Sequence, residues 1–344
     1  MMNVAVTGAR GFLGQHVVAA LRARGVLPRL LGREEGDLLD QATALRLLRD
    51  ADVILHLAAE VGGVEYLGQQ AERAFHANHR LGLNVIAAAC RGTCHRLVLV
   101  GSPCSYGPDC RLPLVEDDLV GGIPAGETGS YGFAKLAVSA TAEVVCAAAG
   151  VEVVTAIPSN LYGPGDHFET SRSHVMAALL RRAVTTRLAG RGAFEVWGSG
   201  AATRDFVFVT DVAKAIAGLA VSGGHFMGET INLGSGRETS IRQAADLVAR
   251  AVGGGIRPLF TGEGPVGYTH RVMSIARAHD AIGYVPETGL EEGLAQTLAW
   301  IRQEQLDRAW LASDRIARRK RHVEEGRDSE ASEKTSGEGL PVAA

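Results

Sequence analysis

Residues 7–14 read T-G-A-R-G-F-L-G, and an apolar run begins just before them at residue 3. Glycines 8, 11 and 14 thus fall between a predicted strand, Asn3–Thr7, and a predicted amphipathic helix, Gln15–Arg24. Glycines in such a loop let the backbone turn sharply and approach a pyrophosphate, which then sits at the positive end of the helix. An ordinary glycine-rich turn is the bland alternative in a chain with 43 glycines. The strand–loop–helix setting argues for a dinucleotide loop instead. Gly8, Arg10, Gly11, Phe12, Leu13 and Gly14 are its candidate cofactor residues.

The pattern continues outward from the loop. Leu27–Leu31, Val53–Ala58, Arg96–Gly101 and Val151–Ile157 read as buried strands. Ala42–Asp50, Ala71–Arg91 and Gly132–Gly150 read as the helices between them. Strands alternating with helices imply an α/β fold, a Rossmann-type doubly wound parallel sheet covered on both faces. The rhythm loosens after Pro158. Helices are expected over His174–Thr186, Thr239–Ala251 (with Thr239 and Ser240 as capping candidates) and Leu290–Glu304. Short strands are expected at Glu195–Trp197, Phe206–Val209 and Thr230–Leu233. The expected division is a cofactor domain over 1–162, with segments returning near 205–235, and a smaller C-terminal substrate lobe over 163–204 and 236–311. Residues 312–344, basic at Arg315–Arg321 and then rich in Glu, Ser and Gly, read as a disordered tail.

The chain has 344 residues, 46% hydrophobic, and a net charge of −3, so neither nucleic acid nor a membrane surface is favoured as partner. No apolar run is expected to reach the length of a membrane span, and MMNVAVTGARG lacks the regions of a signal peptide. A cytoplasmic protein is expected. Five cysteines make an odd count, which argues against a disulfide framework. Cys90 and Cys94 have no second pair at zinc spacing, so no metal site is expected.

Cofactor choice turns on the end of the second strand, where an acidic residue commonly holds the ribose hydroxyls of NAD. Here the stretch reads L-L-G-R-E-E, with Arg33 as its first charge. Arg33 and Arg10 together favour a 2′-phosphate and hence NADP(H).

Tyr131 and Lys135 stand four apart at a helix start, in S-Y-G-F-A-K, and so share a face. A nearby ammonium is expected to lower the tyrosine pKa, so that the phenol exchanges a proton while hydride moves at the same carbon. Ser102, just after the strand ending at Gly101, is placed to bind the same substrate oxygen. YxxxK alone is a weak signal; with the glycine loop and the serine it is a strong one.

With these residues in place, the chain resembles the extended short-chain dehydrogenases that act on nucleotide sugars, and more narrowly the GDP-L-fucose synthase family. L-A-A-E-V-G-G-V (57–64), G-S-P-C-S-Y (101–106), N-L-Y-G-P-G-D-H-F (160–168), S-H-V-M-A-A-L-L-R-R (173–182) and V-W-G-S-G (196–200) follow its pattern. The resemblance implies a GDP-4-keto-sugar 3,5-epimerase and 4-reductase using NADPH, with Ser102, Tyr131 and Lys135 as the redox triad. It implies Cys104 and His174 as the pair that moves protons during epimerisation. It implies cofactor contacts from Leu57, Ala58, Ala59, Tyr131, Lys135, Pro158, Asn160, Leu161 and His174. Sugar-nucleotide contacts are implied for Ser102, Cys104, Asn160, Val175, Arg182, Trp197, Arg204 and Arg271. Y-T-H-R-V-M-S around Arg271 departs from the family's usual P-R-K-x-x-D, and Glu60 replaces a usual lysine. Both departures bear on which sugar is taken. By fold analogy, a homodimer built on the Tyr–Lys helix and its neighbour is expected.

The chemistry of the pair is general. A 4-keto sugar has acidic hydrogens on carbons 3 and 5. Removing one gives an enolate, and returning a proton on the opposite face inverts the centre. Thiolate and imidazole both titrate near neutrality, and a serine and a tyrosine on the carbonyl oxygen would hold the enolate. The bland readings are a buried small hydrophobe for Cys104 and a structural bond at a helix start for His174. Arg182 and Arg204 suit a diphosphate, because guanidinium offers fixed, bidentate donors. Rival functions are a nonreducing 4-epimerase or 3,5-epimerase with tightly bound cofactor, a 4-ketoreductase without epimerisation, and a noncatalytic nucleotide sensor. The last commonly lacks the tyrosine or lysine, and both are intact here.

Overall fold

The structure, a computed structural model, describes residues 2–169, 172–264 and 267–313. In the first half the elements are β1 (Val4–Thr7), α1 (Phe12–Ala23), β2 (Arg29–Leu31), α2 (Gln41–Leu48), β3 (Val53–His56), α3 (Val64–Gln69), α4 (Ala71–Arg91), β4 (Arg96–Val100), α5 (Gly129–Ala148), β5 (Glu152–Pro158) and β6 (Asn160–Tyr162). There follow α6 (Val175–Leu188), β7 (Ala193–Val196), β8 (Thr203–Arg204), β9 (Phe206–Phe208), α7 (Val209–Val221) and β10 (Glu229–Leu233). The last are β11 (Thr239–Ser240), α8 (Ile241–Val252), β12 (Arg257–Phe260), α9 (Ala276–Ile282) and α10 (Leu290–Gln303).

Six strands form one parallel sheet in the order β10-β5-β4-β3-β1-β2, the doubly wound architecture expected. Its strands are buried on both faces, and alternate residues feed different cores. Val53 and Leu55 of β3 pack with Val17 and Leu21 of α1 and Val212 and Ile216 of α7. Ile54, between them, joins Leu48 of α2, Val85 of α4 and Val138 of α5 on the other side. The chain reverses direction across the sheet between β1 and β3. Ligands of such sheets bind in the crevice at this switch point, beyond the carboxyl ends of the strands.

A second core joins α6, α8 and α10 to Phe194 and Val196 of β7 and to Phe206 and Phe208 of β9. Here the small sheets are paired β6–β9 and β7–β12, both parallel, and β8–β11, antiparallel. Ser240 caps α8 in a reciprocal box with Gln243, whereas Thr239, the other capping candidate, pairs with Arg204 in β11–β8. Helix α7, absent from the sequence reading, packs on α1, and α9 packs on α7 and β10. Helix α3 and strand β12 were also not anticipated. The tail expected over 312–344 lies outside the described residues from 314 on.

One expectation is corrected. Helix α5, at 20 residues, is long and apolar enough by length and composition to cross a membrane. Its inner face packs against α4 and β5 and carries Tyr131 and Lys135, both buried. The composition is that of a core helix whose outer face is also apolar: Phe133, Val144 and Val145 are exposed there, with Leu83 of α4 exposed nearby.

Candidate active site

A cavity of about 920 Å³ runs from the β1–α1 loop to the N-terminus of α6 and the β7 region. That is near the upper end for ligand sites and leaves room for two ligands end to end. Every candidate site residue from the sequence borders it except Arg10.

Gly8 follows β1 with φ of +66°, and a Cβ there would stand 2.7 Å from the backbone nitrogen of Ala58. A Cβ on Gly14 would collide with the carbonyl of Gly8. A Cβ on Gly11 would meet one atom only, the Gly8 oxygen at 3.2 Å, because this glycine faces the cavity. Gly11 also opens α1 with no side-chain cap. The amides of the first turn, Phe12 and Leu13 among them, are therefore left for a ligand. Opposite them, Leu57, Ala58 and Ala59 leave β3, with the Ala58 amide donating to the Thr7 hydroxyl at 3.2 Å. The cradle fits a dinucleotide diphosphate.

Arg10 stands apart at this end. Its guanidinium is engaged by both oxygens of Glu35, at 2.6 and 2.7 Å, and lies 3.4 Å from Glu34. This pairing, with the Gly32 amide, holds the Glu35 carboxyl down to about 2. Arg33 borders the cavity, is 92% exposed, and is only loosely paired with Glu60 at 3.7 Å. Of the two arginines, Arg33 is the one available for a phosphate.

At the chemical centre, β4 delivers Ser102 and α5 delivers Tyr131 and Lys135. Ser102 caps a 3-10 turn, Pro103–Ser105, accepting from the Cys104 amide at 3.1 Å. Gly132 lets α5 approach this turn, since a Cβ there would run into the Cys104 carbonyl. The close approach sets Tyr131 beside Ser102 and Cys104. Burial pushes the Tyr131 pKa up, negative charge on Cys104 would add to the rise, and the neighbouring Ser102 hydroxyl only partly offsets this. This reverses the expected direction, and desolvation is the main cause. The same burial brings Lys135 down to about 8. Tyr131 is thus a phenol at neutral pH, the form needed to donate a proton. His56, buried under the centre beside Thr7 at 2.8 Å, is brought down to about 3 by burial and by Lys135.

The far wall belongs to the second core. His174 occupies the position before α6 and Val175 its first residue, both on the cavity. The Nδ1 atom of His174 is 3.9 Å from the Asp166 carboxylate. Arg182 lies over the Trp197 ring, 4.5 Å from its centre, and donates to the Glu195 carbonyl at 3.2 Å. Arg204 donates to the Thr203 and Tyr268 carbonyls. Arg271 lies 3.7 Å over the Tyr268 ring and donates to the Tyr106 carbonyl at 3.1 Å. Burial lowers the pKa of both Arg182 and Arg204, and Arg271 lowers that of Arg204 further. Neighbouring guanidiniums on an apolar wall suit a diphosphate. Pro158, Asn160 and Leu161 border the cavity, and the Asn160 side chain donates to the Asp205 carbonyl at 3.3 Å.

Three site features escaped the sequence reading. Glu60, noted only as a departure, is buried and joins Arg172 at 2.5 Å and the Tyr66 hydroxyl. This ties the loop after β3 to the segment carrying His174. Asp166 was quoted in a motif but given no role. Trp310 also borders the cavity and packs on Phe168, with ring centres 5.1 Å apart. Of the other cysteines, burial pushes the Cys94 thiol up to about 12, Cys90 and Cys146 lie together between α4 and α5 with sulfurs 3.7 Å apart, and Cys110 packs against the small core of Tyr106, Leu114, Ile157 and Met273. Among the described residues no three His, Cys, Asp or Glu side chains converge as a metal site.

Comparison with known proteins agrees with this architecture. Residues 4–234 match the family model described as the NAD dependent epimerase/dehydratase family. The chain is 31% identical over 313 residues to GDP-L-fucose synthase of Escherichia coli (strain K12), covering 88% of this chain and 97% of that protein. A crystal structure of a GDP-6-OMe-4-keto-L-xylo-heptose reductase from C. jejuni superposes with a TM-score of 0.80 at 24% identity, covering 88% and 98% of the two chains. A GDP-L-fucose synthetase from Naegleria fowleri bound to NADP gives 0.78 at 22% identity, covering 88% and 93%.

Proposed function

Because this chain belongs to the NAD-dependent epimerase/dehydratase family, and within it to the GDP-L-fucose synthase group, we propose that it is an NADPH-dependent 3,5-epimerase and 4-reductase of a GDP-4-keto sugar. The observation that carries this reading is the convergence on one cavity of two sets of groups. Ser102, Tyr131 and Lys135 serve a carbonyl, and Cys104 and His174 serve the carbons beside it. On this reading residues 1–162, with segments returning near 205–235, hold the cofactor. Residues 163–204 and 236–311 hold the sugar nucleotide.

Bound NADPH supplies the hydride for carbon 4. The protein's residues do the rest. Ser102 and Tyr131 hold the substrate carbonyl oxygen, and the same two donors stabilise the enolate. Cys104 and His174 exchange protons at the neighbouring carbons, one on each face. Tyr131 then protonates the carbon-4 oxygen, and Lys135 restores charge balance at the buried phenol. Arg182, Arg204 and Arg271 bind the diphosphate, with Val175 and Trp197 on the adjoining wall. The test is incubation with NADPH and GDP-4-keto-6-deoxymannose: NADPH oxidation and a reduced GDP-sugar are expected. No oxidation with any GDP-4-keto hexose or heptose would sink the proposal.

Arg33 selects the 2′-phosphate. Arg33→Ala is expected to weaken NADPH binding about 10- to 100-fold, the worth of one or two charge-assisted bonds, and to leave NADH binding unchanged. Arg10→Ala, which removes a partner of Glu35, is expected to change NADPH affinity less. Fluorescence titration of both variants with both nucleotides decides; equal losses for NADPH and NADH would refute the role of Arg33.

The enzyme is further read as a cytoplasmic homodimer. Free thiols suit a reducing compartment. The exposed apolar face of α4 and α5, with Phe75 and Phe133 stacked across the two helices at 6.2 Å, suits a second copy of itself. Phe133→Asp is expected to convert a dimer to a monomer by light scattering. A wild-type monomer would dispose of the interface.

A further inference from the structure

We infer that Asp166 is a positioning residue: it holds the Nδ1–H of His174 and thereby presents Nε2 to the sugar. This rests on the reading of His174 as a proton-transfer group. Asp166 is built into its place. The turn after β6 passes through Gly163 and Gly165, both at positive φ, and Asp166 donates its amide to the Gly163 carbonyl at 3.3 Å. The Pro164 carbonyl is bonded to the His16 ring of α1 at 2.8 Å. Two residues on, Phe168 is buried against Trp300 and Trp310. The carboxylate between these anchors has no freedom to seek solvent, and its side chain is 1% exposed.

A buried carboxylate needs partners, and this one is undersupplied. Oδ1 accepts from the His167 amide at 2.6 Å. Oδ2 is buried with no hydrogen-bond partner among the described residues. The Nδ1 atom of His174 stands 3.9 Å from Oδ1. That is longer than a hydrogen bond, as catalytic contacts often are before the reacting complex forms, and closing it requires the imidazole to turn toward the carboxylate. His174 is free to make that rotation, because its ring caps no helix amide and is 38% exposed toward the cavity. An imidazole that gives Nδ1–H to a fixed carboxylate has one tautomer and one orientation. It acts as a general acid from the imidazolium, whose Nε2 proton goes to the enolate carbon, leaving the neutral Nδ1–H tautomer held by Asp166. Without the carboxylate the two tautomers mix, and a share of the rings presents the wrong nitrogen.

The test is nitrogen NMR of the full-length enzyme labelled with ¹⁵N-histidine, with His174→Gln used to assign the ring. Wild type is expected to show His174 protonated at Nδ1 and unprotonated at Nε2 when neutral. Asp166→Asn, of the same shape, is expected to show mixed tautomers. Solvent deuterium entry into the sugar should fall about 10- to 100-fold in kcat, with KM and NADPH affinity within about twofold. A wild-type His174 protonated at Nε2 overturns the inference even if the variant does not fold. So does undiminished deuterium entry in a folded Asp166→Asn enzyme when His174→Gln abolishes it. If His174→Gln itself leaves deuterium entry intact, it is the role of His174 that fails, and the inference fails with it.

Discussion

Replacing Tyr131 with phenylalanine is expected to remove hydride transfer, lowering kcat for reduction by about 10²- to 10⁴-fold, the usual worth of a positioned acid. The side chain is buried beside Ser102 and Cys104, and its pKa is raised. It enters the reaction as an intact phenol, and phenylalanine has no proton to give. The ring fills the same space against Leu67 and Ala74, so the fold and the cofactor cradle are expected to survive. NADPH affinity should stay within about threefold, a change of under 1 kcal/mol. Deuterium entry beside the carbonyl should fall less than reduction does, because Ser102 still holds the oxygen. Rapid-mixing absorbance of NADPH measures the first quantity and NMR the second. A variant that still oxidises NADPH at the wild-type rate would remove Tyr131 from the chemistry.

The second large effect is expected at Cys104. Cys104→Ser keeps the size of the side chain and its backbone contacts with Ser102 and Gly132. It replaces a thiol, whose thiolate can act as a base, with a hydroxyl that is a far weaker acid. Deuterium entry at the epimerised carbons should fall about 10²- to 10⁴-fold. A 4-keto sugar that already has the product configuration should still be reduced at nearly the wild-type rate. This separation matters, because Tyr131→Phe predicts the opposite pattern. Undiminished exchange in Cys104→Ser would assign the thiol to packing.

The doubly wound half was legible because its chemistry is local. Val53–His56 and Arg96–Val100 are apolar runs buried on both faces, and the glycine loop between β1 and α1 announces its own geometry. Helix α7 was hidden because Val209–Val221 follows β9 with no glycine, proline or capping side chain between them. Helix α3 is six residues long and contains Gly68, too short and too interrupted for a periodic signal. At the site, Tyr131 and Lys135 were legible because one helical turn relates them. The Arg10–Glu35 pair was not legible because Glu35 arrives from beyond the next strand. The tyrosine pKa was misread for a similar reason: four-residue spacing reveals a nearby lysine but not the depth of burial, and burial decided the direction. Asp166 and Glu60 have no signature of their own. Each acquires meaning only when the fold sets it against His174 or Arg172.

The central claim is that one cavity performs proton exchange and hydride transfer on the same sugar. The most direct measurement is a single turnover with GDP-4-keto-6-deoxymannose and NADPH in deuterium oxide, with NADPH followed by absorbance and the product by NMR. The account predicts one NADPH oxidised per product, solvent deuterium at carbons 3 and 5, and a hydride-derived hydrogen at carbon 4. A reduced product free of deuterium, or an epimerised product formed with no loss of NADPH, would contradict it.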